Sequence, residues 1–274
     1  MKTLLVVCVL ELVFSRGAEA QNIYTTNFLP LGEIPISEHG RWINGETDGL
    51  DWKDVNTTPG LAFGSDSSGA PAFNDPTALL TGTWGPDQMV QATVYAVNQQ
   101  RGSIYEELEL RLRSAISAGS NSGYEINFRC VHNGTQYTEI VRWNGPRGDF
   151  TYLARAIGPG LFNGDVVTAT VVGNVITAYI NGVQVNQATD DTYASGNPGI
   201  GFYLDGAPNL NGDFGFTNFT ALDIVTLPGD SGRIGLAGGA WRRLPRMSRD
   251  LRPVFYAHPR PSSGRAQTRK SVSR

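Results

Sequence analysis

The chain is predicted to be all-β, a two-sheet antiparallel β-sandwich, on three observations. The turn pairs Gly173-Asn174 and Asn181-Gly182 cut residues 166–186 into three short alternating runs. Apolar/polar alternation over a few residues, broken by Gly, Asn, Pro and Asp, recurs throughout 21–229. No stretch there keeps a helical period beyond two turns.

The first element in chain order is a leader. Lys2, an apolar stretch from Leu4 to Phe14, and Ala18-Glu19-Ala20 before Gln21 have the layout of a secretory signal peptide over residues 1–20. The stretch is too short to span a bilayer and Glu11 interrupts it, and no later run approaches eighteen apolar residues. Cys8 lacks the flanking small residues of a lipoprotein cleavage site. The expected product is secreted, periplasmic or extracellular, with no transmembrane segment.

The next expected strands are 22–28, an edge strand pairing with 214–224, and 89–97. Between them, 30–59 and 64–86 read as loop-rich and carry Trp42, Trp52 and Trp84, with core and groove both open for Trp42 and Trp52. Residues 106–114 (EELELRLRS) alternate strictly. A strand puts Leu108, Leu110 and Leu112 on the core face and Glu107, Glu109, Arg111 and Arg113 on the other; a helix would scatter the leucines.

Residues 124–131 and 136–143 form a hairpin around Asn133-Gly134. A two-residue turn there pairs Cys130 with Tyr137, Ile126 with Val141 and Tyr124 with Trp143 on the inner side. The outer side then holds Glu125 opposite Arg142, Asn127 opposite Ile140, and Arg129 opposite Thr138. This register sets Glu139 against Phe128 and the core, so either the turn is longer or Glu139 has a buried partner such as an arginine. Cys130 reads as a small buried hydrophobe. With Cys8 removed it has no disulfide partner, so the core must hold by burial alone.

In the 166–186 meander, Val167, Ala169, Val171, Ile176, Ala178, Ile180, Val183 and Val185 share the apolar face. Thr168, Thr170, Thr177, Tyr179, Gln184 and Asn186 share the other. Strands 199–204 and 214–224 complete an expected ten to twelve in one domain over 21–229, without internal repeats.

Charge divides the chain. Residues 21–229 hold nine basic and twenty-one acidic residues, a net −12, with Lys53 the sole lysine. An acidic body excludes nucleic acid as its partner, since phosphate binding needs a basic face. Residues 230–274 hold eleven basic and two acidic residues amid Pro and Ser. They read as a disordered tail, with contact to an anionic surface or a non-native coding end as alternatives.

Gly164-Asp165-Val166, the run to Gly173-Asn174, Tyr179-Ile180-Asn181-Gly182, Ser195-Gly196-Asn197-Pro198-Gly199 and Phe216-Thr217-Asn218-Phe219 together resemble the concanavalin A-like lectin/glucanase jelly rolls. The resemblance is nearest to the laminin-G-like and keto-disaccharide-hydrolase-like branches of exported bacterial proteins. It runs over about 90–229 and implies a jelly roll whose concave sheet binds carbohydrate, without implying a reaction.

Glucanases of that superfamily carry Glu-x-Asp-x-x-Glu on a strand. Here Glu107-x-Glu109 is followed by Leu112 in the last slot, so the second catalytic acid of the pattern is missing. Glu107 and Glu109 remain catalytic candidates, about 6–7 Å apart along one strand face, against the roughly 5–5.5 Å of a retaining pair. Related polysaccharide lyases share Glu109-Leu110-Arg111 but not their His and Tyr signatures here.

The expected saccharide-binding set is Glu107, Glu109, Arg111, Glu125, Asn127, Arg129, Arg142, Trp143 and Tyr152, planar polar groups beside aromatics. His39, His132 and His258 form no transition-metal spacing, and no metal site is expected, although Asp205, Asn211 and Asp213 could offer oxygens to Ca²⁺ or form a polar turn. Asn56, Asn133 and Asn218 begin glycosylation sequons. The leading reading is an exported lectin-like module for extracellular carbohydrate. The alternatives are a glycoside hydrolase or polysaccharide lyase of the same fold, and a structural or adhesive surface protein attached by its tail.

Overall fold

The structure is a computed structural model that describes residues 22–28, 31–45, 53–66, 75–99, 104–224, 233–235 and 241–243. The leader 1–20, Trp52, His258 and most of the basic tail lie outside the described residues. The strands are β1 Ile23–Thr26, β2 Trp42–Asn44, β3 Val55–Thr58, β4 Leu61–Gly64, β5 Thr77–Leu80 and β6 Gln88–Ala96. They continue as β7 Tyr105–Ser117, β8 Ser120–Arg129, β9 Tyr137–Pro146, β10 Phe150–Ile157, β11 Val166–Val172 and β12 Val175–Ile180. β13 Val183–Thr189, β14 Asn197–Asp205 and β15 Phe214–Asp223 complete the body. Arg233–Gly235 and Trp241–Arg243 pair separately as β16 and β17.

Two antiparallel sheets form, one of eight strands and one of seven. The first runs β13-β12-β11-β6-β15-β4-β3, with β1 on β15; the second runs β10-β9-β8-β7-β14-β5-β2. Their facing sides bury one continuous core. Val90, Ala92, Val167, Ala169, Val171, Ile176 and Ala178 come from the first sheet; Leu108, Leu110, Leu112, Ile126, Phe128, Ile140, Ile200 and Phe202 come from the second. The expected sandwich, the core leucines of 106–114 and the pairing of 22–28 with 214–224 all hold.

The strand count exceeds the expectation because 30–59 and 64–86 supply β2 to β5, strands of three or four residues too short to show a period. Trp42 is core, its indole N–H donating to the Tyr24 hydroxyl at 3.0 Å and its ring 5.4 Å from Phe219. Cys130 is free and buried; burial pushes its thiol up to about 12. A bulge between Phe216 and Asn218 turns Phe216 and Phe219, three apart, both inward.

The meander turns fall where expected, and one bulge corrects its last strand. Register shifts between Ala178 and Tyr179, so Gln184 pairs with Tyr179 but Asn186 pairs with Ala178. Val185 takes the bulge and stays half-buried, and Val183 is exposed. Asn186 turns inward and donates to the Thr138 carbonyl at 2.8 Å.

The hairpin register is also corrected. Phe128 pairs with Thr138, Ile126 with Ile140 and Tyr124 with Arg142, one residue off the two-residue-turn register. Asn133-Gly134 sits inside a longer loop, closed by Arg129 donating to the Thr135 carbonyl at 3.0 Å and by Gln136 donating to the Val131 carbonyl. A slip of one residue moves every β9 side chain to the opposite face. Glu139, Val141 and Trp143 therefore leave the core for the outer face, and Arg142 turns toward the other sheet.

Candidate functional site

The outer face of the second sheet gathers most of the expected residues. From β7 come Glu107, Glu109 and Arg111; from β8 Glu125, Asn127 and Arg129; from β9 Glu139, Val141 and Trp143. The cross-strand pairs Glu109–Asn127 and Asn127–Glu139 set them in rows. They do not lie open to solvent. Arg111 and Glu109 are fully buried, and Glu107, Glu125, Asn127, Arg129 and Glu139 are buried as well.

Arg113 does not belong to this group. A bulge between Leu112 and Ala115, with Arg113 at φ +45°, sends its guanidinium between the sheets. There it donates to the carbonyls of Pro86, Tyr193 and Gly173 at 2.6, 2.9 and 2.7 Å. Arg142, an expected ligand contact, is also elsewhere: it bonds Asp190 at 2.6 Å and Thr192 at 2.8 Å, and does not line the pocket described next.

A cavity of about 280 Å³ opens on this face. One wall is aromatic. The Trp143 and Phe150 rings lie 5.2 Å apart at a tilt, and Phe150 and Tyr152 meet edge-on at 5.2 Å. Trp143, Val141, Ile116 and Phe150 form an apolar cluster separate from the main core. The opposite side carries Tyr203 and Asp205 from β14 and Asp75 ahead of β5. Tyr105 and Tyr137 hold the Arg129 guanidinium between their rings at 4.5 and 5.5 Å.

Beneath the cavity Arg111 is surrounded by acids. It pairs with Glu109 and, at 2.8 Å, with Glu125, and reaches the Thr77 hydroxyl at 3.4 Å. Glu125 also accepts from the Trp143 indole and, at 3.1 Å, from the Asn127 amide. Space for the pair is made by β14. A Cβ on Gly201 would lie 2.2 Å from Glu109 Oε2 and 3.0 Å from Arg111 Nε. Asp75, Glu109 and Glu125 bring carboxylate oxygens within 4.8 Å of one another.

Burial opposes the ionisation of several of these acids. Burial pushes Glu107 up to about 8, opposed by the hydrogen bond from the Tyr137 hydroxyl. Burial drives Asp75 and Glu109 well above the carboxylate range, and Arg111 pulls both back. Burial also raises Glu139, opposed mainly by Arg155 at 3.0 Å. Burial works to lower Arg111, and the Glu109, Glu125 and Asp75 charges more than reverse it.

The sequence missed Asp75, Tyr105, Tyr137, Glu139, Phe150, Arg155, Tyr203 and Asp205 as pocket residues. Two signals pointed to them: the ill-fitting Glu139 beside Phe128, and the alternating Gly199 and Gly201, whose bare positions face Arg111 and Glu109 across the ladder. Of the residues weighed for Ca²⁺, Asn211 accepts from the Asp66 N–H at 3.1 Å through Oδ1 and donates to the Asp66 and Pro208 carbonyls, Asp213 accepts from Asn98 at 2.9 Å, and Asp205 lines the cavity. His39 and His132 are exposed. Among the described residues no helix is long and apolar enough to cross a membrane.

A two-sheet sandwich with an acidic, aromatic-walled cavity on one outer face is the class of protein defined so far. No protein-family model matches the chain, and no curated protein matches it. Among solved structures it is similar to a carbohydrate-binding module from Bacillus subtilis, at 14% identity and TM-score 0.44, over 67% of this chain and 92% of that one. It is also similar to the carbohydrate recognition domain of Emp46p in metal-free form, at 11% identity and TM-score 0.47, over 72% and 95%. A kappa-carrageenase from Zobellia galactanivorans matches at 11% identity and TM-score 0.43, over 76% and 97%. At such identities each name describes that protein's ligand and not this chain's.

Proposed function

We propose that the chain is an exported saccharide-binding β-sandwich whose ligand occupies the cavity on the outer face of the second sheet. One observation carries this reading: the stepped aromatic wall of Trp143, Phe150 and Tyr152 shares a single cavity with the planar polar groups Asn127, Glu107, Glu139 and Asp205. Apolar C–H faces of a sugar ring pack on aromatic rings, and its hydroxyls need planar acceptors placed to one side. The leader 1–20 supplies the export step. Affinity electrophoresis of the full chain through gels containing a panel of soluble polysaccharides tests the reading. Retardation by at least one, lost in Tyr152→Ala, is expected; no retardation by any sinks it.

A second reading, a glycoside hydrolase, is favoured by Glu107. It lines the cavity and carries its proton at neutral pH, the state required of a proton donor. Release of reducing ends from the same panel, abolished by Glu107→Gln, would replace binding with catalysis. The lyase alternative is weakened because the lining cation among the described residues, Arg155, is paired with Glu139 and not free to receive a uronate carboxylate.

A further inference from the structure

The polar lining of the cavity is lopsided. Its carboxyl groups are Asp75, Glu107, Glu125, Glu139 and Asp205, and its cation among the described residues is Arg155. Arg155 is already engaged, 3.0 Å from Glu139 with its guanidinium 4.5 Å from the Tyr137 ring centroid. The arginines below are engaged too. Arg111 pairs with Glu109 and Glu125, and Arg129 donates to the Thr135 and Ile104 carbonyls at 3.0 Å each. The cations are turned inward to hold the sheet, and the surplus of acid faces the cavity.

Asn127 provides an independent observation. It is 4% exposed and lines the cavity. Its amide nitrogen donates to Glu125 at 3.1 Å and to Glu139 at 3.4 Å. Those two carboxyls fix the orientation of the amide, since a turned amide would set oxygen against oxygen. Asn127 Oδ1 is left buried with no hydrogen-bond partner. A buried acceptor without a donor is unfavourable, and the natural remedy is a donor brought by a ligand.

The missing group must donate, and it must suit a lining rich in carboxyl groups. A hydroxyl does the first. An ammonium does both, with three N–H donors and a positive charge that favours release of the Glu107 proton to solvent. A uronate would set a further carboxylate in a lining whose cation among the described residues, Arg155, is already paired with Glu139.

Resting on the saccharide reading of this same cavity, we infer that the ligand is an amino sugar with a free amino group, of the glucosamine class. Its ammonium group is received among Asn127 Oδ1, Glu107 and Glu139, and its ring lies along Phe150 and Tyr152.

Isothermal titration of the full chain with four trisaccharides tests this: a β-linked glucosamine trimer, its N-acetylated counterpart, a neutral glucose trimer and a uronic acid trimer. Charge-assisted hydrogen bonding predicts that the free-amine trimer binds at least about tenfold more tightly than the N-acetylated one. That preference should shrink on raising salt. Glu107→Gln and Glu139→Gln should each narrow the ratio between the two trimers. Equal affinity for the amine and N-acetyl trimers, or tightest binding of the neutral or uronate trimer, overturns the inference while leaving the cavity a saccharide site. No heat or shift with any of the four overturns both readings. The wild-type ratio decides the matter even where a variant fails to fold.

Discussion

Replacing Arg111 with methionine removes the one guanidinium that lies between Glu109 and Glu125 while keeping an unbranched chain of similar reach. Arg111 is fully buried, paired with both glutamates, and its guanidinium carbon lies 6.0 Å from the Trp143 ring centroid. Removing one partner of a buried ion pair typically costs about 3–5 kcal/mol, because the abandoned charge stays desolvated. For a domain of this size that lowers Tm by about 6–20 °C. The loss depends on pH in a definite direction. Arg111 holds the Glu109 and Asp75 carboxyls down against burial, so its removal raises both further. A carboxyl whose folded pKa lies above its unfolded value stabilises fully below the unfolded value, and that stability is lost as pH rises through the folded value. With folded values higher still, Arg111→Met loses stability more steeply as pH rises, so its deficit against the wild type is larger at pH 8 than at pH 5. Urea denaturation at the two pH values measures this, and adding Glu109→Gln to the variant should recover part of the deficit at pH 8. A deficit under about 1 kcal/mol at pH 8, or one that does not change with pH, would refute the account of Arg111 as the counter-ion of a buried acid cluster.

Three further outcomes are expected. Glu107 takes its proton at about 8 in the fold against an ordinary 4.5, so wild-type stability should fall between those values. Glu107→Gln should flatten that decline by at most about 1.4 kcal/mol per pH unit, read from denaturation midpoints across the window. Gly201→Ala places a methyl 2.2 Å from Glu109 Oε2 against the buried ion pair. It should cost about 1–3 kcal/mol, measured by thermal melting; an unchanged Tm would mean the pair shifts freely. Asn186→Ala leaves the Thr138 carbonyl without its 2.8 Å donor and should destabilise by about 1–3 kcal/mol, whereas Gln187→Ala on the neighbouring exposed position should change stability by less than about 0.5 kcal/mol.

What the sequence determined by itself was the alternation. Leu108, Leu110 and Leu112 can share a face only in a strand, and the two Gly/Asn turns of the meander set their own registers, so the sheets and their core were readable from local chemistry. Elements with no local signal were not readable. β2 to β5 are too short for a period, and their pairing is decided by strands far along the chain, as when Leu79 meets Gly199. The candidate site split along the same line. Glu107, Glu109, Arg111, Glu125 and Asn127 fell on one face because each lies at even spacing within its own strand. Glu139, Trp143 and Arg142 depended on whether the loop after Phe128 keeps or shifts the register, and Arg113 and Asn186 on bulges. Each of these inserts or removes one residue and so reverses a face. The tertiary structure also decided burial. An alternating charged strand reads as solvated, yet closure by β10, β14 and the aromatic wall takes Glu109 and Arg111 out of water. Desolvation and like-charge crowding are sums over neighbours from distant segments, so the proton held by Glu107 is a property of the assembled sheet and of no single stretch of chain.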